Sequence, residues 1–463
     1  MAEQTFDVVV IGAGPVGENA ASRAVEGGLT AALVEHERFG GECSYWACIP
    51  SKALLRPGNL LAAVRRMPGI EAGERLDARA VFARRDAFTS KGDDSGQVDW
   101  ARSAKVEPIR GHARITGERE VTLDNGTVLL ARRAVVVCTG SVPVRPPIEG
   151  LDQAPVWTSR DATSASEVPG RLAVIGGGVV GVEMAQAWAR LGSSVDLIAT
   201  GERLLPRMPG FAGDAVAEGL RADGVRVHLR ARADRVSTVD GSARVELADG
   251  GYVDADKVLI ATGRKPATAD IGVDVAGLTP GSPLTVDDTG LVSGVDGEWL
   301  YAAGDVTGRA PLTHQGKYAA RVIGDVISAK ARGEAVDAAP WSRFTATADH
   351  HAVPQVIFTD PEVASVGLAD AENDRQQVID LDIAVAGSAL TADGYTGKAR
   401  IVVDTEREVL LGVTFVGQDV GEMLHAATIA VVGEVPLRRL WHAVPAFPTI
   451  SEVWLRLLET YGL

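Results

Sequence analysis

The sequence predicts an α/β protein in which two Gly-rich strand–turn–helix–strand units precede a C-terminal α+β domain. Three observations carry this reading. Gly12, Gly14 and Gly17 follow a β-branched run, Val8 to Ile11. Gly176, Gly178 and Gly181 repeat that spacing after "RLAVI". From about residue 341, strand patterns such as "ARIVVD" and "VLLGVTFVG" alternate with helical ones.

In the first unit, "FDVVVIGAGPVGENAASRA" reads as strand, tight turn and helix. Glycines let a backbone approach a pyrophosphate, and a helix N-terminus favours its charge. The next strand, "TAALVE", ends in Glu35, 23 residues after Gly12. A carboxylate at that distance hydrogen-bonds an adenosine ribose. One such motif could be an ordinary βα turn. Two complete copies predict two Rossmann-like dinucleotide-binding domains.

The second copy differs where it matters. Its second strand runs Val195 to Ile198, and 23 residues after Gly176 stands Ala199. A carboxylate there would repel a 2′-phosphate, and alanine removes that repulsion. Thr200, Arg203 and Arg207 follow, and an arginine can pair with a phosphate. This leans to NADPH over NADH. "RAVVVCTGSVP", with Thr139, Gly140 and Ser141, and "KVLIATGRKP", with Gly263, each close one unit. "EWLYAAGDVTG" ends a strand at Gly304 and Asp305, where an acidic residue can meet a ribose or ribityl hydroxyl. The expected domains are 1–150 and 268–340 for the first dinucleotide, 151–267 for the second, and 341–463 for an interface.

Composition narrows the function classes. The 463 residues carry a net charge of −15, which disfavours nucleic acid as a partner. No apolar run is long enough to span a bilayer, and "MAEQTFD" lacks the basic region of a secretory signal, so a cytoplasmic protein is expected. Three cysteines make no secreted disulfide framework.

Two of them, Cys43 and Cys48, lie close together in "GGECSYWACIPSK". Zinc needs about four ligands, usually as two clusters, and no second cluster is evident. Cys138, within an apolar strand, reads as a core residue. A redox pair fits best. The stretch Cys43 to Ala53 is expected to begin a helix, whose N-terminus stabilises a thiolate.

Taken together, GAGPVG with Glu35, GGEC followed by CIPSK, TGS, GGGVVGVE, ATGRKP, AAGD and "FTDPEVASVG" resemble the pyridine nucleotide–disulfide oxidoreductases. These are the flavoproteins that include dihydrolipoyl dehydrogenase, glutathione reductase and mercuric reductase. The resemblance covers essentially the whole chain. It implies FAD on the first unit, contacted by Gly12, Gly14, Gly17, Glu35, Gly41, Thr139, Gly140 and Asp305, and NAD(P)H on the second. It implies a homodimer, a lysine near the flavin (Lys52) and its carboxylate partner (Glu183). Cys48 would face the flavin in a charge-transfer complex, and Cys43 would exchange with the acceptor.

One family element departs from the pattern. A His-Pro-Thr-x-x-Glu segment usually supplies the acid–base histidine, and here the chain reads "AFPTISE". Pro448, Thr449 and Glu452 match, but Phe447 stands at the histidine position and cannot transfer a proton. His442 is the nearest substitute, with an ordinary polar residue as the simpler reading. Mercuric reductase is disfavoured, because no cysteine follows Cys138. A low-pKa leaving thiol needs no acid, so the expected acceptor is a disulfide of that kind. A quinone reductase, a dihydrolipoyl dehydrogenase and a non-catalytic redox sensor stay open as alternatives. Tyr45 and Trp46 replace small residues of the family. They either fill core volume or line the acceptor side together with Phe447.

Overall fold

A computed structural model describes residues 3–71, 73–239 and 241–463. The chain forms two compact units, each assembled from separated stretches. One comprises Met1–Ile49, Asp86–Val144 and Arg264–His350, the other Pro50–Arg85, Arg145–Gly263 and His351–Leu463.

In the first unit the strands Glu107–Arg110, Ala31–Glu35, Glu3–Ile11 and Val128–Val137 lie side by side in parallel. Leu300–Ala302 adds in parallel to the last of them, with Leu300 opposite Val135. Val8, Val9 and Val10 are fully buried. A strand covered on both faces needs a continuous apolar run rather than an alternating one. The helix Pro15–Glu26 begins with proline, whose fixed φ suits a first turn and whose missing N–H costs nothing there. It packs along the helix Thr313–Ala331 through two close approaches. A Cβ on Gly316 would lie 2.6 Å from Val16 Cγ2, and one on Gly324 would lie 2.6 Å from Arg23 Cβ. Only glycine lets the two axes come this near.

The second unit repeats the plan. Arg226–His228, Ser194–Ile198, Arg171–Ile175, Lys257–Ile260 and Val156–Trp157 form a parallel sheet in that order. Trp188, on the helix Val179–Leu191, is fully buried against Trp157 and Phe82. The same unit contains an antiparallel sheet, in the order Pro354–Ile357, Glu362–Gly367, Val409–Gly417, Lys398–Asp404 and Gln376–Asp382. This sheet and the helix Val453–Tyr461 make up the α+β part expected from the sequence. Among the described residues, no helix is long and apolar enough to cross a membrane.

Candidate active site

The first glycine loop is built by exclusion. A Cβ on Gly12 (φ +99°) would lie 2.5 Å from the Cys138 carbonyl oxygen, and one on Gly17 would lie 1.9 Å from that of Gly12. The strand, the turn and the helix therefore close on each other with no space for a side chain. Gly41 (φ +56°) comes equally near, since its Cβ would meet Gly14 Cα at 2.8 Å. The GGEC and GAGPVG segments thus face each other backbone to backbone at Gly14 and Gly41.

Glu35, 7% exposed, is fixed at the adjoining strand end. Its carboxylate accepts from the Ala13 N–H at 2.9 Å and from the Glu37 N–H at 2.8 Å. Burial, the largest influence, would raise its pKa, but hydrogen bonds from the His36 ring and from the Glu37 and Ala13 N–H groups hold it below the ordinary value. Oε1 also lies 3.2 Å from His36 Nδ1, so it is Oε2, with the Ala13 N–H as its partner, that has a further lone pair for a hydroxyl. Asp305 lies in the same unit and accepts from the Ser141 hydroxyl at 2.6 Å. Arg264 clamps Ser141 by donating to its hydroxyl and its carbonyl oxygen, at 2.8 and 2.6 Å. Thr139 donates to the Ala267 carbonyl at 2.9 Å, so the TGS segment is tied to the strand Arg264–Pro266. Gly304 (φ +83°) meets Val16 of the first loop. This cradle of bare backbone, an oriented carboxylate and a second acid at a strand end fits an FAD.

The redox-pair segment is two helices, not one starting at Cys43. Gly41–Tyr45 is a short turn of helix, Trp46 (φ −135°) breaks it, and Cys48 opens the helix Cys48–Arg65. Pro50 sits in the first turn of the second helix, where its missing N–H is harmless. The break brings the two sulfurs together, and no disulfide joins them in this structure. Cys43 hydrogen-bonds to Cys48, and that bond, followed by burial, holds the Cys43 proton well above the ordinary thiol range. Thr313 and Lys317 pull in the opposite direction. Thr313 Oγ1 lies 3.2 Å from Cys48 Sγ at the start of the helix Thr313–Ala331. Ionising one sulfur leaves the other as its hydrogen-bond donor, so the pair behaves as one titrating group.

Tyr45 is 4% exposed, and its hydroxyl donates to Gln97 Oε1 at 2.9 Å. Trp46 is half-buried, edge-on to Tyr45, with the Arg38 guanidinium 4.9 Å from its ring centre. In the second unit Lys52, one helical turn after Cys48, pairs with Glu183 at 2.8 Å. Glu183, 3% exposed, also accepts from the Phe358 N–H at 3.0 Å, and Lys52 Nζ lies 4.8 Å over the Phe358 ring. Three separate motifs of the sequence therefore meet there. Phe447 is 74% exposed and His442 is exposed, while Glu452 keeps a buried carboxylate oxygen without a hydrogen-bond partner.

The second glycine loop copies the first. A Cβ on Gly176 (φ +127°) would lie 2.3 Å from the Ala261 carbonyl oxygen, and one on Gly181 would lie 1.9 Å from that of Gly176. Gly178 has open space, and Ala199 is buried at the strand end. Thr200 is exposed, and Arg203 pairs with Asp214 at 3.3 Å on the surface. Gly263 (φ +126°) likewise has open space beside it. The sequence reading did not single out Thr313 or Lys317. Their signal was the "PLTHQGK" start of a long helix directly after AAGD. Glu18, an acid in the first turn of the helix Pro15–Glu26, was not singled out either.

Comparison with known proteins gives one result throughout. Residues 6–321 match the family described as "Pyridine nucleotide-disulphide oxidoreductase". Residues 353–457 match its dimerisation domain. A mercuric reductase of Acidithiobacillus ferrooxidans is 33% identical over 97% of this chain and 81% of its own. A dihydrolipoyl dehydrogenase of Thermus scotoductus is 32% identical over 98% of this chain and 97% of its own. Among solved structures, the copper(II) complex of the HOCl-induced flavoprotein disulfide reductase RclA from Escherichia coli superposes with a TM-score of 0.84. It is 25% identical and covers 98% of this chain and 99% of its own. The chain belongs to the pyridine nucleotide–disulphide oxidoreductase family, whose members use FAD and NAD(P)H.

Proposed function

We propose that this protein is an NAD(P)H-dependent flavoprotein disulfide reductase that passes electrons to Cys43–Cys48 and from there to a disulfide with a low-pKa leaving thiol. The carrying observation is the hydrogen-bonded Cys43–Cys48 pair with Thr313 at Cys48. Bound FAD supplies the redox chemistry that links a nicotinamide hydride to a dithiol. Cys43 is the sulfur that meets the acceptor, and Cys48 is the sulfur beside the flavin. Lys52, held by Glu183, takes the role of the family's lysine. Glu35, Ser141, Gly304 and Asp305 hold the FAD, and the four-part domain division and a cytoplasmic location belong to the same reading. The exposed apolar Trp441, Val444 and Phe447 support a homodimer interface within residues 341–463.

Phe447 carries the inference about the acceptor. With phenylalanine in the histidine position and Glu452 left with an unpartnered oxygen, no acid serves an ordinary thiol, whose pKa is about 8.5. Thiols of lower pKa leave faster without one. NADPH is favoured over NADH because Ala199 presents no carboxylate.

The test is an acceptor screen of the purified holoenzyme against low-pKa disulfides, lipoamide, glutathione disulfide and quinones, with Cys43→Ser run alongside. Turnover of an activated disulfide that Cys43→Ser abolishes is the expected result. Quinone turnover that survives the substitution would establish direct flavin transfer instead. Efficient lipoamide turnover would overturn the acceptor assignment. The two-electron-reduced enzyme should show a long-wavelength charge-transfer band, and Cys48→Ser should remove it.

A further inference from the structure

Four side chains at every fourth position of the helix Thr313–Ala331 form one stripe, and each has a partner across from it. Thr313 Oγ1 lies 3.2 Å from Cys48 Sγ. Lys317 interacts electrostatically with Cys43 and with Glu18. Arg321 donates to the Asn19 side chain at 3.2 Å. Asp325 accepts from Arg23 at 2.8 Å. A four-residue spacing keeps one face of a helix in register. The close approaches at Gly316 and Gly324 fix that register against the helix Pro15–Glu26. Glu18 and Lys317 are therefore set beside the redox pair by the same packing that positions Thr313.

We propose that Lys317 is the cation that stabilises negative sulfur at Cys43, and that Glu18 is the counter-charge that positions and moderates it. The inference rests on the reading of Cys43 as the sulfur that meets the acceptor. Glu18 suits the role. Its Oε1 is buried without a hydrogen-bond partner. Burial pushes its carboxyl up to about 7, against the pull of Lys317. Among the described residues Tyr45 also interacts electrostatically with Glu18, and in turn with Arg38, Asp93 and Asp94. Glu18 therefore changes charge near neutrality. Below that point Lys317 acts on Cys43 with its full charge, and above it the carboxylate offsets part of that charge.

The exchange needs no acid at Phe447. The Cys43 thiolate, its proton released to solvent, attacks one sulfur of the acceptor. The acceptor S–S bond breaks as the Cys43–sulfur bond forms, and the departing sulfur leaves with the electron pair as a thiolate facing Lys317. The Cys48 thiolate then attacks Cys43 Sγ, which forms the Cys43–Cys48 disulfide and expels the second thiolate. Two electrons have passed from the pair to the acceptor, and the released thiolates take protons from solvent according to their own pKa values. A cation beside the reacting sulfur assists both departures.

Because the acceptor is unidentified, the probe is iodoacetamide. The rate of Cys43 alkylation in the NADPH-reduced holoenzyme is followed across pH by peptide mass spectrometry. Lys317→Gln should move the midpoint of that profile up by about one pH unit, and Lys317→Arg should restore it. Glu18→Gln should move it down, with the difference from wild type confined to pH values above about 7. Flavin absorbance confirms that each variant is loaded. If Glu18→Gln does not retain flavin, the Gln and Arg variants of Lys317 decide alone. Midpoints that stay in place, or that move in the same direction for both residues, would overturn the inference. Alkylation at Cys48 in place of Cys43 would instead overturn the underlying assignment of the two sulfurs.

Discussion

The two glycine loops share a backbone, and two acidic side chains of the first have apolar counterparts in the second. In both, the third glycine would place a Cβ 1.9 Å from the carbonyl oxygen of the first. In both, the first glycine has positive φ and touches the carbonyl of a neighbouring strand end, Cys138 in one and Ala261 in the other. The strand after the helix ends in Glu35 in the first unit, and the counterpart of Glu35 in the second is Ala199, directly after Ile198. The residue after the third glycine is Glu18 in the first and a fully buried Val182 in the second. Packing thus requires the loop, while chemistry selects the two positions that carry an acid in one unit only. A dinucleotide fold can be duplicated unchanged and then specialised at positions that bear no load in its backbone.

The largest effects should come from the shared part. Gly17→Ala puts a methyl group where the Gly12 carbonyl stands, beyond the ~1–3 kcal/mol that overpacking usually costs. The purified variant should carry no flavin, as read by its visible absorbance. Gly181→Ala makes the same collision in the other unit. It should keep flavin and lose NAD(P)H-dependent reduction of it. Gly178→Ala, with open space around its Cβ, should leave the fold intact. Equal behaviour of all three would mean that the loops are not closed by contact.

Much of this was legible in the sequence because it follows from local rules. Strand, glycine spacing and helix are contiguous, so both units and Glu35 could be placed from "FDVVVIGAGPVGENAASRA" and "TAALVE" alone. Contacts between distant stretches were not legible from local rules. The Lys52–Glu183 pair joins residues 131 positions apart, and only the family resemblance supplied it. The Cys48–Thr313 contact joins residues 265 apart and was missed. The break at Trp46 was missed too, because a tryptophan carries no helix-stop signal comparable with glycine or proline. Tyr45 could be core or acceptor wall on residue type alone, and its hydroxyl bond to Gln97 decides where its polar end points.

A middle-sized effect separates Glu18 from its counterpart Val182. Glu18 has a folded pKa of about 7 against an ordinary 4.5. The folded state then binds this proton more tightly than the unfolded chain. The stabilisation is complete below 4.5 and is lost as pH rises through 7. Glu18→Gln removes that dependence. Relative to wild type, it should be more stable at pH 8 than at pH 5 by on the order of 2–3 kcal/mol. Urea denaturation at the two pH values measures the difference. A slope unaffected by the substitution would mean that Glu18 is solvated and ionised in the fold.

The smallest effect, and the sharpest test of the comparison, is Ala199→Glu. In the first unit the Glu35 carboxylate accepts from the Ala13 N–H, the residue between the first two glycines. Its counterpart in the second unit is Gly177, whose N–H would face a carboxylate at position 199. Leu204 crowds that spot, lying 2.9 Å from a Cβ on Gly177, so the new side chain must displace it in part. Arg203, already paired with Asp214 on the surface, is not needed for the exchange. The carboxylate should repel a 2′-phosphate and accept from a free 2′-hydroxyl. The ratio of kcat/KM for NADPH to that for NADH should fall about tenfold, equivalent to about 1.4 kcal/mol. A ratio that does not move would place coenzyme choice outside the strand end, and the likeness of the two loops would then stop at their backbone.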